Sequence, residues 1–198
     1  IYSAAIPEEN VEMVEARKAG LTLIGRSDAL AQILNIRKGI AVSGTHGKTT
    51  TTSMVGLLLR GLDLDPTIII GGELNELGSN ARYGQGEYVV AEACESDGSF
   101  LKYNPFISIV TNIEDDHIDH YKNYDALKKS FYEFMQNTHQ DGFVIVDGDQ
   151  VKVSSESIGR KVLSYGLSEK NDLYAENIKH KNLQSSYDLM VREGQSCR

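Results

Sequence analysis

Hydrophobic positions along this chain change period several times, and each change predicts an element. Pro7 to Ala19 opens on Pro and acids and places Val11, Val14 and Ala19 near one face, which predicts a helix stopped by Gly20. A short strand over Leu21 to Ile24 and a second helix over Asp28 to Leu34 are expected next. Gly39 to Ser43 is a brief apolar run that enters a glycine-containing loop, and Thr49 to Arg60 then follows helical spacing up to Gly61. Apolar runs recur at Thr67 to Ile70, Glu87 to Ala93, Phe106 to Thr111 and Phe143 to Val146, as parallel strands covered by helices require. Between the last two, Leu127, Phe131, Phe134 and Met135 mark a helix over Asp125 to Asn137. From Lys161 the pattern turns to short strands with polar turns, at Lys161 to Tyr165, Leu173 to Ile178 and Ser186 to Val191. The fold class expected is α/β: a mostly parallel phosphate-loop sheet flanked by helices, with a small antiparallel extension near the C-terminus.

Composition narrows the function classes. The 198 residues are 40% hydrophobic, enough for one sizeable core, and carry a net charge of -8 without a local basic patch. A nucleic-acid surface is therefore not expected. No apolar run approaches the roughly 20 residues that cross a bilayer, so no membrane association and a cytoplasmic location are expected. Two cysteines, Cys94 and Cys197, do not suggest a disulfide framework. The first residue is Ile1 rather than Met, and the chain reads as a piece of something longer.

The loop GTHGKTT, from Gly44 to Thr50, is the strongest chemical signal. A strand that ends in such a loop and opens a helix directs several N–H groups and a helix dipole at one spot, which suits a triphosphate. Gly44 and Gly47 permit the tight backbone, Lys48 would neutralise phosphate oxygens, and the Thr49 hydroxyl would bind Mg²⁺. The general phosphate-loop pattern asks for glycine at position 42, where Val42 stands, so the match is incomplete. Glu92, Glu95 and Asp97 close the run Glu87 to Ala93, the strand end where open α/β sheets bind ligands, and their oxygens suit Mg²⁺. By itself the same run also reads as acids and a serine capping a helix. His117, in the acid-rich stretch after Thr111, reads by itself as a surface histidine.

Three spaced motifs, GTHGKTTTTSM at Gly44 to Met54, EACESDGSFL at Glu92 to Leu101 and TNIEDDHIDHY at Thr111 to Tyr121, resemble the Mur ligase family, nearest its alanine-adding branch. The resemblance implies that residues 1–37 are the tail of a UDP-sugar-binding first domain and a linker. Residues 38–198 would be the central ATP-binding domain, incomplete at its C-terminal end, with the third domain absent. It implies ATP and Mg²⁺ as cofactors, with Gly44, Thr45, His46, Gly47, Lys48, Thr49 and Thr50 holding the nucleotide. Thr49, Glu95 and His117 would hold the metal, and Asn112 would position phosphate or metal-bound water. Ser96 and Asp97 would line the substrate side, as would Asn80. Arg82 could meet a phosphate there or form a surface salt bridge. His120 has no such support.

The implied substrates are UDP-N-acetylmuramate and L-alanine. The lactoyl carboxylate would attack the γ-phosphate of ATP to give an acyl phosphate, which the amine of alanine opens. A monomer or homodimer is expected. Cys94 departs from the family, which usually carries an acid there, and its acidic neighbours predict a poorly reactive thiol. Alternatives are a recycling ligase that joins a preformed peptide to the same sugar nucleotide, and a nucleotide-binding module without activity. Folylpolyglutamate synthase resembles the chain mainly in the loop.

Overall fold

In the computed structural model, residues 1–3, 5–74, 78–115 and 121–192 are described. Among them, nine strands form one sheet in the spatial order β3-β2-β4-β1-β5-β6-β7-β8-β9. The strands are β1 (Lys38–Ser43), β2 (Thr67–Leu74), β3 (Ser79–Arg82), β4 (Tyr88–Glu92), β5 (Ile107–Val110), β6 (Phe143–Asp147), β7 (Lys161–Gly166), β8 (Leu173–Lys181) and β9 (Gln184–Val191). The helices are α1 (Val11–Lys18), α2 (Arg26–Ile36), α3 (Lys48–Gly61), α4 (Tyr124–Gln136) and the short α5 (Ser155–Ile158), with a 3₁₀ turn at Ser99–Lys102.

The central strands are apolar on both faces because both faces are covered. Ile40, Val42, Val90 and Ile109 point to one side, against Val55 and Leu59 of α3. Their alternates Ala41, Val89, Ala91 and Val110 point to the other, against Leu34 of α2, Phe100, and Leu127, Phe131, Phe134 and Met135 of α4. The period of two along each strand thus divides one sheet between two cores. Helix α4 places its apolar stripe in the second core, where each fully buried side chain contributes roughly 1.5–3 kcal/mol. Asn123 caps it by accepting the Ala126 N–H at 2.9 Å. Leu34 is fully buried and α2 packs on β1 and β4, so residues 26–36 share this core.

Four local expectations need correction. No strand forms at Leu21 to Ile24; the Ile24 carbonyl accepts the Tyr2 N–H at 3.0 Å beside an isolated parallel bridge from Tyr2 to Gly25, and no longer ladder follows among the described residues. In α1 the buried residue is Met13, whereas Val11 is exposed. Strand β7 pairs parallel with both β6 and β8, so the antiparallel extension is the β8–β9 hairpin alone. Asn80 and Arg82 lie on β3, an edge strand antiparallel to β2 that the apolar pattern did not predict. Its residues Ser-Asn-Ala-Arg carry almost no apolar alternation, since an edge strand with half-exposed faces does not need it.

Candidate active site

The ends of β4, β1 and β5 lie side by side, and the chain runs from β1 toward one edge of the sheet before crossing to β5 on the other side. Such a reversal of strand order opens a crevice at the carboxyl ends of the strands. All three sequence motifs emerge there: the glycine loop after β1, the Glu95 segment after β4 and the Thr111 segment after β5.

Gly44 adopts φ +139 and Gly47 φ +82, both in the region that L side chains avoid. Gly47 is the N-cap of α3, and no side chain caps the helix. The first N–H groups of α3 are thus left to point out of the helix end, where the dipole is positive. Thr49 and Thr50 are exposed at that end. A Cβ on Gly44 would come within 2.1 Å of Thr111 Oγ1. Gly44→Ala is therefore expected to combine backbone strain with a clash, lowering stability by about 2–4 kcal/mol and displacing the loop. Thermal melting checks this, and the Thr111→Ala background should recover part of the loss by removing the clash.

Lys48 curls back over the loop. Its Nζ donates to the Gly44 carbonyl at 2.6 Å, to the Thr45 carbonyl at 3.2 Å and to Glu95 Oε1 at 2.8 Å. The Glu95 side chain is 1% exposed and that of Lys48 18%. A buried carboxylate is costly without a cation, so the pair is held in one place. The Glu95 carbonyl accepts the Tyr121 hydroxyl at 2.5 Å. Burial, reinforced by the Glu95 charge, pushes the Tyr121 hydroxyl up to about 12, which keeps it a donor. Glu92 serves the sheet instead, since its Oε1 accepts the Gly71 N–H at 2.7 Å.

The remaining candidates are placed as follows. Ser96 Oγ lies 3.0 Å from Cys94 Sγ, and Asp97 Oδ1 accepts the Ser99 N–H at 3.0 Å at the start of the 3₁₀ turn. Arg82 pairs with Asp65 at 2.5 Å and donates to the Pro66 carbonyl, whereas Asn80 is exposed on β3. Asn112 sits against the loop: its Oδ1 accepts the His46 N–H at 2.8 Å and its Nδ2 donates to the His46 carbonyl at 3.0 Å. The His46 ring is exposed, 3.7 Å from Glu114. His117 and His120 lie outside the described residues. Thr111 and Tyr121 had been read only as parts of a motif; both stand within it, but their partners come from other segments.

The chemistry of this donor set fits a nucleoside triphosphate with Mg²⁺. An uncapped helix end, a lysine and a buried carboxylate converge, while no cluster of three or more His, Cys, Asp or Glu that would hold a metal unaided occurs among the described residues. Magnesium that shares its shell with phosphate and water requires only one or two protein oxygens. No described helix is long and apolar enough to cross a membrane.

Comparison with known proteins agrees with this geometry. The model of the Mur ligase middle domain matches residues 42–197. The UDP-N-acetylmuramate–L-alanine ligase of Pelotomaculum thermopropionicum is 46% identical over 197 residues, covering 98% of this chain and 43% of that protein. Its counterpart in Sorangium cellulosum is 43% identical over 194 residues, covering 97% of this chain and 41% of that protein. The chain thus spans less than half the length of these curated relatives. The crystal structure of a UDP-N-acetylmuramate–alanine ligase from Thermotoga maritima superposes with a TM-score of 0.80 at 27% identity, covering 96% of this chain and 43% of that one. With residues 42–197 matching the Mur ligase middle domain and relatives at 46% and 43% identity aligned over nearly all of its length, the chain belongs to the Mur ligase family.

Proposed function

We propose that this chain is the nucleotide-binding part of an ATP-dependent ligase that joins L-alanine to the lactoyl carboxylate of UDP-N-acetylmuramate. The observation that carries the reading is the Lys48–Glu95 pair at the uncapped start of α3. Relatives at 46% and 43% identity that are named as L-alanine ligases favour alanine over a preformed peptide as the amine.

In this reading the N–H groups at the start of α3 and the ammonium of Lys48 bind the triphosphate. Thr49 and Glu95 hold Mg²⁺, with His117 as a third ligand implied by its motif. The metal supplies neutralisation of the charge between the attacking carboxylate and the phosphate oxygens. No protein nucleophile is required; the residues align two anions and offset their repulsion. Tyr121 fixes the backbone of Glu95 and so the direction of its carboxylate. Ser96 and Asp97 lie on the same segment, toward the sugar nucleotide. Asn80 and Arg82 belong to the same side in this assignment, with Arg82 available to a phosphate once released from Asp65. Residues 1–37 are assigned to the end of the sugar-nucleotide domain and its linker, and the work is that of a cytoplasmic enzyme.

The test is phosphate release by the intact protein with ATP, Mg²⁺ and UDP-N-acetylmuramate. Release dependent on L-alanine is expected. Release with a tripeptide but not with L-alanine would replace this reading by the recycling one, and nucleotide binding without release would leave a binding module.

A further inference from the structure

We propose that Asn112 is a positioning residue: it acts as a one-residue strand partner for His46 and holds the phosphate loop in its nucleotide-accepting shape before any nucleotide arrives. The proposal rests on the nucleotide reading above and goes beyond it, since the resemblance implied contact with phosphate or metal-bound water instead.

The loop between β1 and α3 has glycine in left-handed backbone at both ends, Gly44 and Gly47, with Thr45 and His46 between them. Glycine gives such a segment many alternative shapes, and each residue ordered only on binding weakens affinity by roughly tenfold. The segment after β5 removes that freedom. The Asn112 amide engages both backbone groups of His46, accepting its N–H at 2.8 Å and donating to its carbonyl at 3.0 Å. Because His46 presents one donor and one acceptor side by side, the reversed amide would set N–H against N–H and oxygen against oxygen, so the neighbours fix its orientation.

Further bonds come from the same segment. The Asn112 carbonyl accepts the Thr45 N–H at 3.2 Å. Thr111 Oγ1 donates to the His46 carbonyl at 2.6 Å, and the Glu114 N–H donates to Thr45 Oγ1 at 2.9 Å. Both non-glycine residues of the turn are thus tied to residues 111–114, and Lys48 completes the shape by bonding the Gly44 and Thr45 carbonyls from inside. Both polar atoms of the Asn112 side chain are engaged by the His46 backbone. The effect of Asn112 on phosphate would therefore pass through His46, as a pre-set arrangement of N–H groups.

The experiment uses the intact protein, wild type and Asn112→Ala, with Asn112→Asp as an isosteric second variant that retains the acceptor but sets an oxygen against the His46 carbonyl. Hydrogen exchange of the His46 and Thr45 amides is followed by NMR in nucleotide-free protein, with the Ala41 and Val42 amides as controls for the fold. Binding of a non-hydrolysable ATP analogue with Mg²⁺ and the steady-state constants are measured alongside. The His46 amide is expected to exchange about tenfold faster or more in both variants, with β1 unchanged. KM for ATP should rise by about tenfold or more with kcat near wild type and KM for the sugar nucleotide unaltered.

Unchanged His46 exchange together with weakened ATP would overturn the proposal in favour of direct contact between Asn112 and the nucleotide or its metal. Faster exchange with an unchanged KM for ATP would overturn it as well, since the brace would then do nothing for binding. Failure of the wild type to bind the analogue would refute the nucleotide reading itself; His46 exchange, read without nucleotide, keeps that failure distinct from failure of the brace.

Discussion

Lys48→Ala is expected to reduce turnover by at least about 10³-fold while also lowering the stability of the nucleotide-free protein. The catalytic loss follows from removing a fixed positive charge where two anions must meet; single electrostatic groups in such sites are worth about 10²–10³ in rate, and Lys48 bears a full charge. The stability loss follows from the pair in the crevice. Glu95, with its side chain 1% exposed, would lose the cation that stands 2.8 Å away. Removing one partner of a buried pair costs about 3 kcal/mol or more, or roughly 6–12 °C of melting temperature for a chain of this size. Retention of more than a few per cent of activity would end the assigned role. An unaltered melting temperature would show instead that water reaches Glu95 and compensates it.

Glu95→Gln is expected to lose most of the activity, though less than Lys48→Ala, and to differ from it in stability. The neutral amide can still accept from Lys48, whose ammonium keeps the Gly44 and Thr45 carbonyls and is 18% exposed, so melting should fall less than in Lys48→Ala. Turnover should fall by about 10²–10³, with more Mg²⁺ needed for half-maximal rate, if Glu95 is the carboxylate that holds the metal as proposed. The double variant completes a thermodynamic cycle: if the ion pair accounts for the loss in Lys48→Ala, Glu95→Gln should restore most of it. A Glu95→Gln protein with wild-type dependence on Mg²⁺ would remove Glu95 from the metal site.

These expectations draw on residues that were legible to different degrees. Lys48, Gly44 and Gly47 could be read directly, because a strand, a glycine turn and a helix start are local and adjacent in the chain. The sheet core could be read for the same reason. Val89 to Ala91 and the stripe Leu127, Phe131, Phe134 and Met135 have periods that only a covered strand and a half-buried helix satisfy. Strand β3 could not, because an exposed edge strand needs no apolar alternation. The sense of β7 was equally hidden, since a short strand of half-buried residues carries no mark of whether its neighbours run parallel.

The site divides along the same line. Order and spacing along the chain were enough to single out a glycine loop, an acidic strand end and a histidine-bearing motif as candidates, because each is a run of neighbouring residues. That Lys48 spans 47 positions to Glu95, that Tyr121 holds the Glu95 carbonyl, and that Asn112 braces His46 across 66 positions emerge only once β4, β1 and β5 lie side by side. Hydrogen bonds between segments far apart in sequence depend on strand order, and no local period or composition encodes which strand ends become neighbours.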